Sequence, residues 1–78
     1  MTPHERINLG RQAESLMRDP AYAAALAAYE ADLFRLWKEA TELSAREQLW
    51  HECQALKGVT ERLSAIKQDG AVALQRSS

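Results

Sequence analysis

A single cysteine, Cys53, in 78 residues excludes an internal disulfide framework. Nothing at the N-terminus joins a basic leader to an apolar stretch, so the expected setting is a reducing cytoplasm. Charge of one sign is missing as well: ten Lys and Arg stand against eleven Asp and Glu, for a net charge of −1. The basic residues, from Arg6 to Arg76, are interleaved with acids along the whole chain, so no stripe of them tracks a phosphate backbone or draws the chain to an anionic membrane. Nucleic acid and membrane are therefore not the expected partners. The uncharged run Ala21–Tyr29 has nine residues, far short of the roughly 20 apolar residues that a bilayer span requires.

Motifs that carry chemistry are also lacking. His51 and Glu52 open the segment HECQA, but a zinc-protease helix needs a second histidine four residues after the first so that both rings share one face, and Ala55 occupies that place. His51 and Cys53 are two residues apart, on different sides of any helix, and cannot chelate one metal from it. Cys53 has no neighbouring cations or helix N-terminus to lower its pKa, so it reads as a small buried side chain rather than a nucleophile. No metal, cofactor or catalytic residue is expected, and the chain does not read as an enzyme.

What is present is helical punctuation. Thr2, Pro3 and Glu5 form a capping box with proline at the first helical position, which predicts a first helix over 3–18. Asp19 can cap a second helix beginning at Pro20, and that proline disfavours helical backbone at Asp19, so the chain bends there. The second helix is expected over 20–40. Thr41–Ser44 form a connection, and Ser44 with Glu47 reads as another capping box opening a third helix over about 45–69, ended by Gly70. Residues 71–78, AVALQRSS, have no cap or strong period and are expected to form a flexible tail in which Val72 and Leu74 could dock.

Periodicity supports the same division. Tyr22, Leu26, Tyr29, Leu33, Leu36 or Trp37, and Ala40 step by three and four along the second helix. Leu49, Leu56 and Leu63, with Val59, Ile66 and Cys53, make a short seam of coiled-coil type on the third. A short connection makes these two helices antiparallel neighbours, with Leu36 near Leu49, Tyr29 near Leu56, Leu26 near Val59 and Tyr22 near Leu63. That register sets Gly58 against Ala27 and Ala28 as a close approach, with Gly10 allowing a second one. Leu9, Ala13, Leu16 and Met17 would let the first helix cover one side of the hairpin. The expected fold is all-α: a long antiparallel helical hairpin with a shorter N-terminal helix, three helices in one domain over 1–70.

Two surfaces emerge as candidate interfaces. Trp37 and Trp50 flank the connection and lie at the same end of the hairpin, where they either close the core or anchor a partner. Ala24, Ala27, Ala28 and Ala31 are more alanines than one antiparallel partner can use. Alanine is the best helix former, yet an ordinary solvated face would carry Lys, Glu or Arg at several such positions, and none occurs before Glu30.

The segment LMRDPAYAAAL, Trp37 near the end of the second helix, and REQLWHECQALKGVTERLSAIKQDGAVA together resemble a group of short helical proteins encoded by tailed bacteriophages and prophages. The likeness covers about residues 9–73 and rests on Asp19, Pro20, Trp37, Arg46, Glu47, Leu49, Trp50, Asp69 and Gly70. The stretch between Trp37 and Arg46 is shorter here than in that pattern. The resemblance implies a phage gene product, in the host cytoplasm or associated with the virion, and carries over no functional residue. The expected function is non-enzymatic interaction with itself as a homo-oligomer or with a protein partner, as a structural or assembly component. The alternatives are a small inhibitor or adaptor of a host protein and a small DNA-packaging subunit.

Overall fold

The computed structural model describes residues 1–77 and, among them, is all-α, with helices α1 (Pro3–Arg18), α2 (Pro20–Glu39) and α3 (Leu43–Ser77). The N-terminal punctuation works as the residues dictate. The Glu5 amide donates to Thr2 Oγ1 at 3.1 Å, and the Thr2 hydroxyl donates to Glu5 Oε1 at the same distance. Asp19 serves two helices at once. Its amide donates to the Leu16 carbonyl at 3.1 Å and closes α1, while its carboxylate accepts from the Tyr22 amide at 3.0 Å and opens α2. One extended residue, with φ −66° and ψ 122°, therefore separates two helices.

The course of the chain follows from which residues meet. On α1, Arg6 reaches Asp69, Gly10 lies against Ile66 and Gly70, and Met17 lines a groove with Thr60 and Leu63. Numbers rise along α1 as they fall along α3, so the two are antiparallel. On α2, Tyr22 and Leu26 share that groove with Thr60 and Leu63, Leu33 shares one with Cys53 and Leu56, and Leu36 one with Leu49. Thus α2 is antiparallel to α3 as well. The molecule is a hairpin with one continuous arm, α3, and one arm broken at Asp19 into α1 and α2. Its extents are 55 × 24 × 14 Å, and the long axis matches the roughly 52 Å expected for a 35-residue helix.

The backbones approach most closely where α1 crosses the C-terminal half of α3, and less closely between α2 and α3. Glycine makes the difference. A Cβ on Gly10 would stand 2.8 Å from the Gly70 Cα, and a Cβ on Gly70 would stand 2.8 Å from the Gly10 Cα and 2.9 Å from the Arg6 carbonyl oxygen. Backbone therefore rests on backbone at this crossing. Ala13 and Ala73, three residues on from each glycine, are buried at 5% and 1% exposure. Beside the crossing, Arg6 grips Asp69 with two hydrogen bonds, Nε to Oδ2 at 2.9 Å and Nη2 to Oδ1 at 2.6 Å. Chiefly through that hydrogen bonding, partly offset by desolvation, the Asp69 carboxyl is held below its ordinary range and the Arg6 guanidinium is raised.

Several expectations need correction. Gly70 does not end the third helix: α3 runs on to Ser77, because Gly70 has an ordinary helical φ and serves the crossing, not a C-terminal cap. The predicted tail is thus helical over 71–77, while Ser78 lies outside the described residues. The third helix also starts earlier, at Leu43. The Arg46 amide donates to the Glu42 carbonyl at 3.1 Å, which places Ser44 and Glu47 inside the first turns rather than at a cap. The main close approach is Gly10 on Gly70. Gly58 meets only the Arg62 Nη1 of its own helix, at 3.1 Å, and makes no approach to Ala27 or Ala28. Leu36 with Leu49 and Tyr22 with Leu63 come together as expected, but Leu33, 3% exposed, takes the central place expected of Tyr29. Tyr29 and Val59 remain about half exposed, because the inward line of α2 runs through half-buried Leu26 and buried Leu33 and leaves both to one side. Helix α1 does not cover the hairpin but extends its broken arm, so Leu9 and Leu16 stay exposed.

The glycines give a sharp contrast. Gly10→Ala or Gly70→Ala forces backbones apart and should cost about 1–3 kcal/mol or more, whereas Gly58→Ala meets only a flexible side-chain end and should gain up to about 1 kcal/mol from helix propensity. Urea midpoints of the three variants check this ordering. The Arg6–Asp69 pair sets an acid dependence. Because the Asp69 pKa is lower folded than unfolded, its contribution is complete above the unfolded value of about 3.9 and is lost as pH falls through the folded value. Asp69→Asn should flatten that part of an acid-unfolding curve relative to the wild-type chain.

Candidate interaction surface

Helix α2 leaves its outer side bare. Ala24, Ala27, Ala28 and Ala31 are all exposed and recur at three and four along one side of the helix, with Ala27 at its edge. Ala24, Ala28 and Ala31 recur at four and three on the side away from α3, while Ala27 borders the groove of Tyr22, Leu26 and Leu63. The tryptophans lie elsewhere, toward the connecting turn. They do not close the core: Trp37 is 36% and Trp50 54% exposed.

The turn end is organised around these rings. Arg46 lies over the Trp37 ring with its Cζ 4.1 Å from the centroid, and Lys38 lies over Phe34 at 4.7 Å. Trp50 meets His51 edge to face, with centroids 5.2 Å apart. Phe34 and Trp37 are three residues apart and share one side of α2. Leu43, Arg46 and Trp50 step by three and four and share one side of α3. Since Arg46 covers Trp37, these two sides adjoin, and Phe34, Trp37, Leu43 and Trp50 form one exposed apolar patch with cations on it. The sequence reading singled out the two tryptophans and missed Phe34 and Leu43. Their signal was the spacing: Phe34 three before Trp37, and Leu43 seven before Trp50.

Charge around the patch is local. Arg35 bridges Glu39 at 3.4 Å and Asp32 at 3.9 Å, on exposed side chains where such pairs contribute little. Glu14 and Arg18, four residues apart on α1, also pair, at 2.8 Å. Arg46 lies over Trp37 and, among the described residues, makes no ion pair with Glu42, four residues before it. Cys53 is half-buried in the groove of Leu33 and Leu56. Among the described residues, no three His, Cys, Asp or Glu side chains converge on a point where a metal could sit, and no helix is long and apolar enough to cross a membrane. This surface joins two indole rings and a guanidinium, residue types enriched among binding hot spots in protein interfaces.

Comparison with protein-family models, with curated proteins and with solved structures finds no match for this chain.

The tryptophan environment is directly checkable. Trp50→Ala should cost less than the core truncation that follows, because Trp50 is already 54% exposed. Leu33→Ala should cost about 2–5 kcal/mol, because it empties the most buried large side chain. Thermal or urea unfolding of both variants, with wild type alongside, measures the difference.

Proposed function

We propose that this chain is a non-enzymatic helical interaction protein that acts as a self-associating structural or assembly component. One observation carries this reading. The chain exposes 5990 Å², whereas a compact monomer of 8.8 kDa exposes about 4,800 Å². The excess is on the order of 1,200 Å². It arises because the hairpin has no third layer: among the described residues the buried hydrophobic side chains are those of Ala13, Leu33 and Ala73. The Cα radius of gyration, 16.7 Å, is well above the roughly 11.5 Å of a compact domain this long. Few buried groups stand against the ordering entropy of the chain, and association supplies further burial.

The resemblance to short helical proteins of tailed phages supports a phage context for such a component, in the host cytoplasm or on the virion. A second reading, a small adaptor or inhibitor that docks on a host protein, is favoured by the Phe34, Trp37, Leu43 and Trp50 patch, whose composition suits a partner's pocket. A DNA-packaging role has only the exposed cations in its favour, and these are interleaved with acids.

Light scattering and sedimentation over a wide concentration range test the leading reading. Mass above the monomer and a melting temperature that rises with protein concentration are expected. A constant monomer mass with a concentration-independent melting temperature would exclude it, and capture of one host protein by that monomer, abolished by Trp50→Ala, would establish the second.

A further inference from the structure

We infer that two copies of this chain pair through one particular side of the hairpin, the side bearing Leu9, Leu16, Tyr29, Leu36, Val59 and Ile66. This rests on the self-association reading and assigns its surface. The six residues form three pairs, one on each helix, and the members of each pair are seven residues apart. A spacing of seven returns to the same side of a helix, the repeat by which helices pack lengthwise on one another. All six are between 39% and 54% exposed, so each is large, apolar and without full cover.

The three pairs belong to one side of the molecule. On α3, Cys53, Lys57, Thr60, Lys67, Ala71 and Leu74 recur at three, four and seven and line the grooves of the opposite side. Val59 and Ile66 come one residue before Thr60 and Lys67, about 100° around the helix. On α1, those grooves are bordered by Ile7, Arg11 and Glu14, not by Leu9 or Leu16. On α2, Glu30 and Leu33 border them, while Leu36 lines a groove with Gln48 and Glu52. In antiparallel neighbours, residues displaced in the same rotational sense from the contact line fall on the same side of the pair. Leu36, Tyr29, Val59, Leu16, Ile66 and Leu9 thus follow one another along the long axis, from near the turn to near the termini.

The occupant is a second copy because of area. The broad side that carries the stripe extends 55 by 24 Å, so an identical chain laid along it covers on the order of 1,000 Å² of each copy, at the lower end of the range of obligate homodimers. Twofold pairing makes the contact self-complementary. With Val59 and Leu16 at the middle of the stripe, an antiparallel arrangement sets Leu36 and Tyr29 of one copy against Ile66 and Leu9 of the other. The alanine strip and the tryptophan patch stay outside the contact.

The experiment compares faces. Leu16→Glu and Ile66→Glu, with helicity followed by circular dichroism, should weaken dimerisation by at least roughly 100-fold in sedimentation, since each places a charge in an apolar contact. Ala28→Glu and Phe34→Glu should leave the dimer constant within a few-fold. Independently of folding effects, Val59→Cys in a Cys53→Ser background should oxidise to a covalent dimer with its own counterpart near the twofold axis, and Phe34→Cys in the same background should not. A wild-type dimer undisturbed by Leu16→Glu and Ile66→Glu but lost with Ala28→Glu, or one cross-linked through position 34 and not 59, overturns this surface while self-association stands. A monomeric wild type overturns both.

Discussion

Everything in this molecule depends on how close α1 can come to α3, and that distance is set where Gly10 meets Gly70. No large side chain could do the same work, because α1 has few to bury. Its contact side is Gly10, Ala13 and Met17, against Ile66, Gly70 and Ala73 on α3. Small residues replace hydrophobic bulk with proximity. The backbones meet at this crossing, gaining dispersion contacts that a wider one would forfeit. Once they are this near, Arg6 stands at the right height to hold both oxygens of Asp69, which fixes the sliding register that smooth glycine and alanine surfaces leave loose. The crossing also explains why α3 continues beyond residue 63. Past that point α2 has turned away, and α1 is the partner against which the last turns of α3 pack.

The other half of the hairpin follows a different rule. Between α2 and α3 the spacers are Tyr22, Leu26, Leu33, Leu56 and Leu63, so the axes stand further apart and grooves open between them. Leu33 fills one of these spaces and is buried, whereas Tyr29 and Val59 lie off the line of closest approach. The molecule is therefore tight near its termini and open near its turn. At the open end the apolar side chains that would have formed a core, Phe34, Trp37, Leu43 and Trp50, face outward and are partly covered by Lys38 and Arg46. A cation over a ring keeps that surface compatible with water and can be displaced when something flatter and drier arrives.

Local signals in the sequence were read correctly where they concern a residue and its near neighbours. Thr2 and Asp19 cap as their side chains require, Pro20 forces the bend, and Leu49, Leu56 and Leu63 mark the inward side of α3, although Val59 and Ile66 of the same expected seam stay exposed. The failures fall into two groups: glycine and serine, residues with two uses, and apolar residues such as Leu9, Leu16, Tyr29 and Val59 that stand to one side of the contact line and stay exposed. Gly70 suits a helix end and a close helix crossing equally well, and only the partner across the gap, 60 residues earlier, decides between them. Gly58 carries the same propensity cost, but the side of α3 it occupies faces no partner. Ser44 with Glu47 has the letters of a capping box, yet Glu42 reaches the helix start first because the connection is shorter than four residues need. The surface was half legible. Trp37 and Trp50 are conspicuous as rare residues, whereas Leu9, Leu16, Val59 and Ile66 look like core until the fold shows that no layer covers them.

Exposed leucine or valine is not in itself informative, since more than half of any folded surface is apolar. Spacing is what distinguishes this chain. Leu43 and Trp50 also stand seven apart, but on α3 alone; on the striped side all three helices return a large apolar side chain after seven residues, and the returns line up across helices joined only by packing. A two-helix layer has two broad sides and can bury neither by itself. Of these, one carries the regular stripe and the other carries the aromatic patch at the turn, so the two sides differ in kind. In the antiparallel pair proposed above, the striped sides face each other and vanish from the surface. The aromatic patches then emerge at opposite ends of a particle built on a 55 Å arm, facing outward, where each can engage a separate neighbour. A single chain would present one such patch on a marginal fold, and a pair presents two on a fold completed by its own copy.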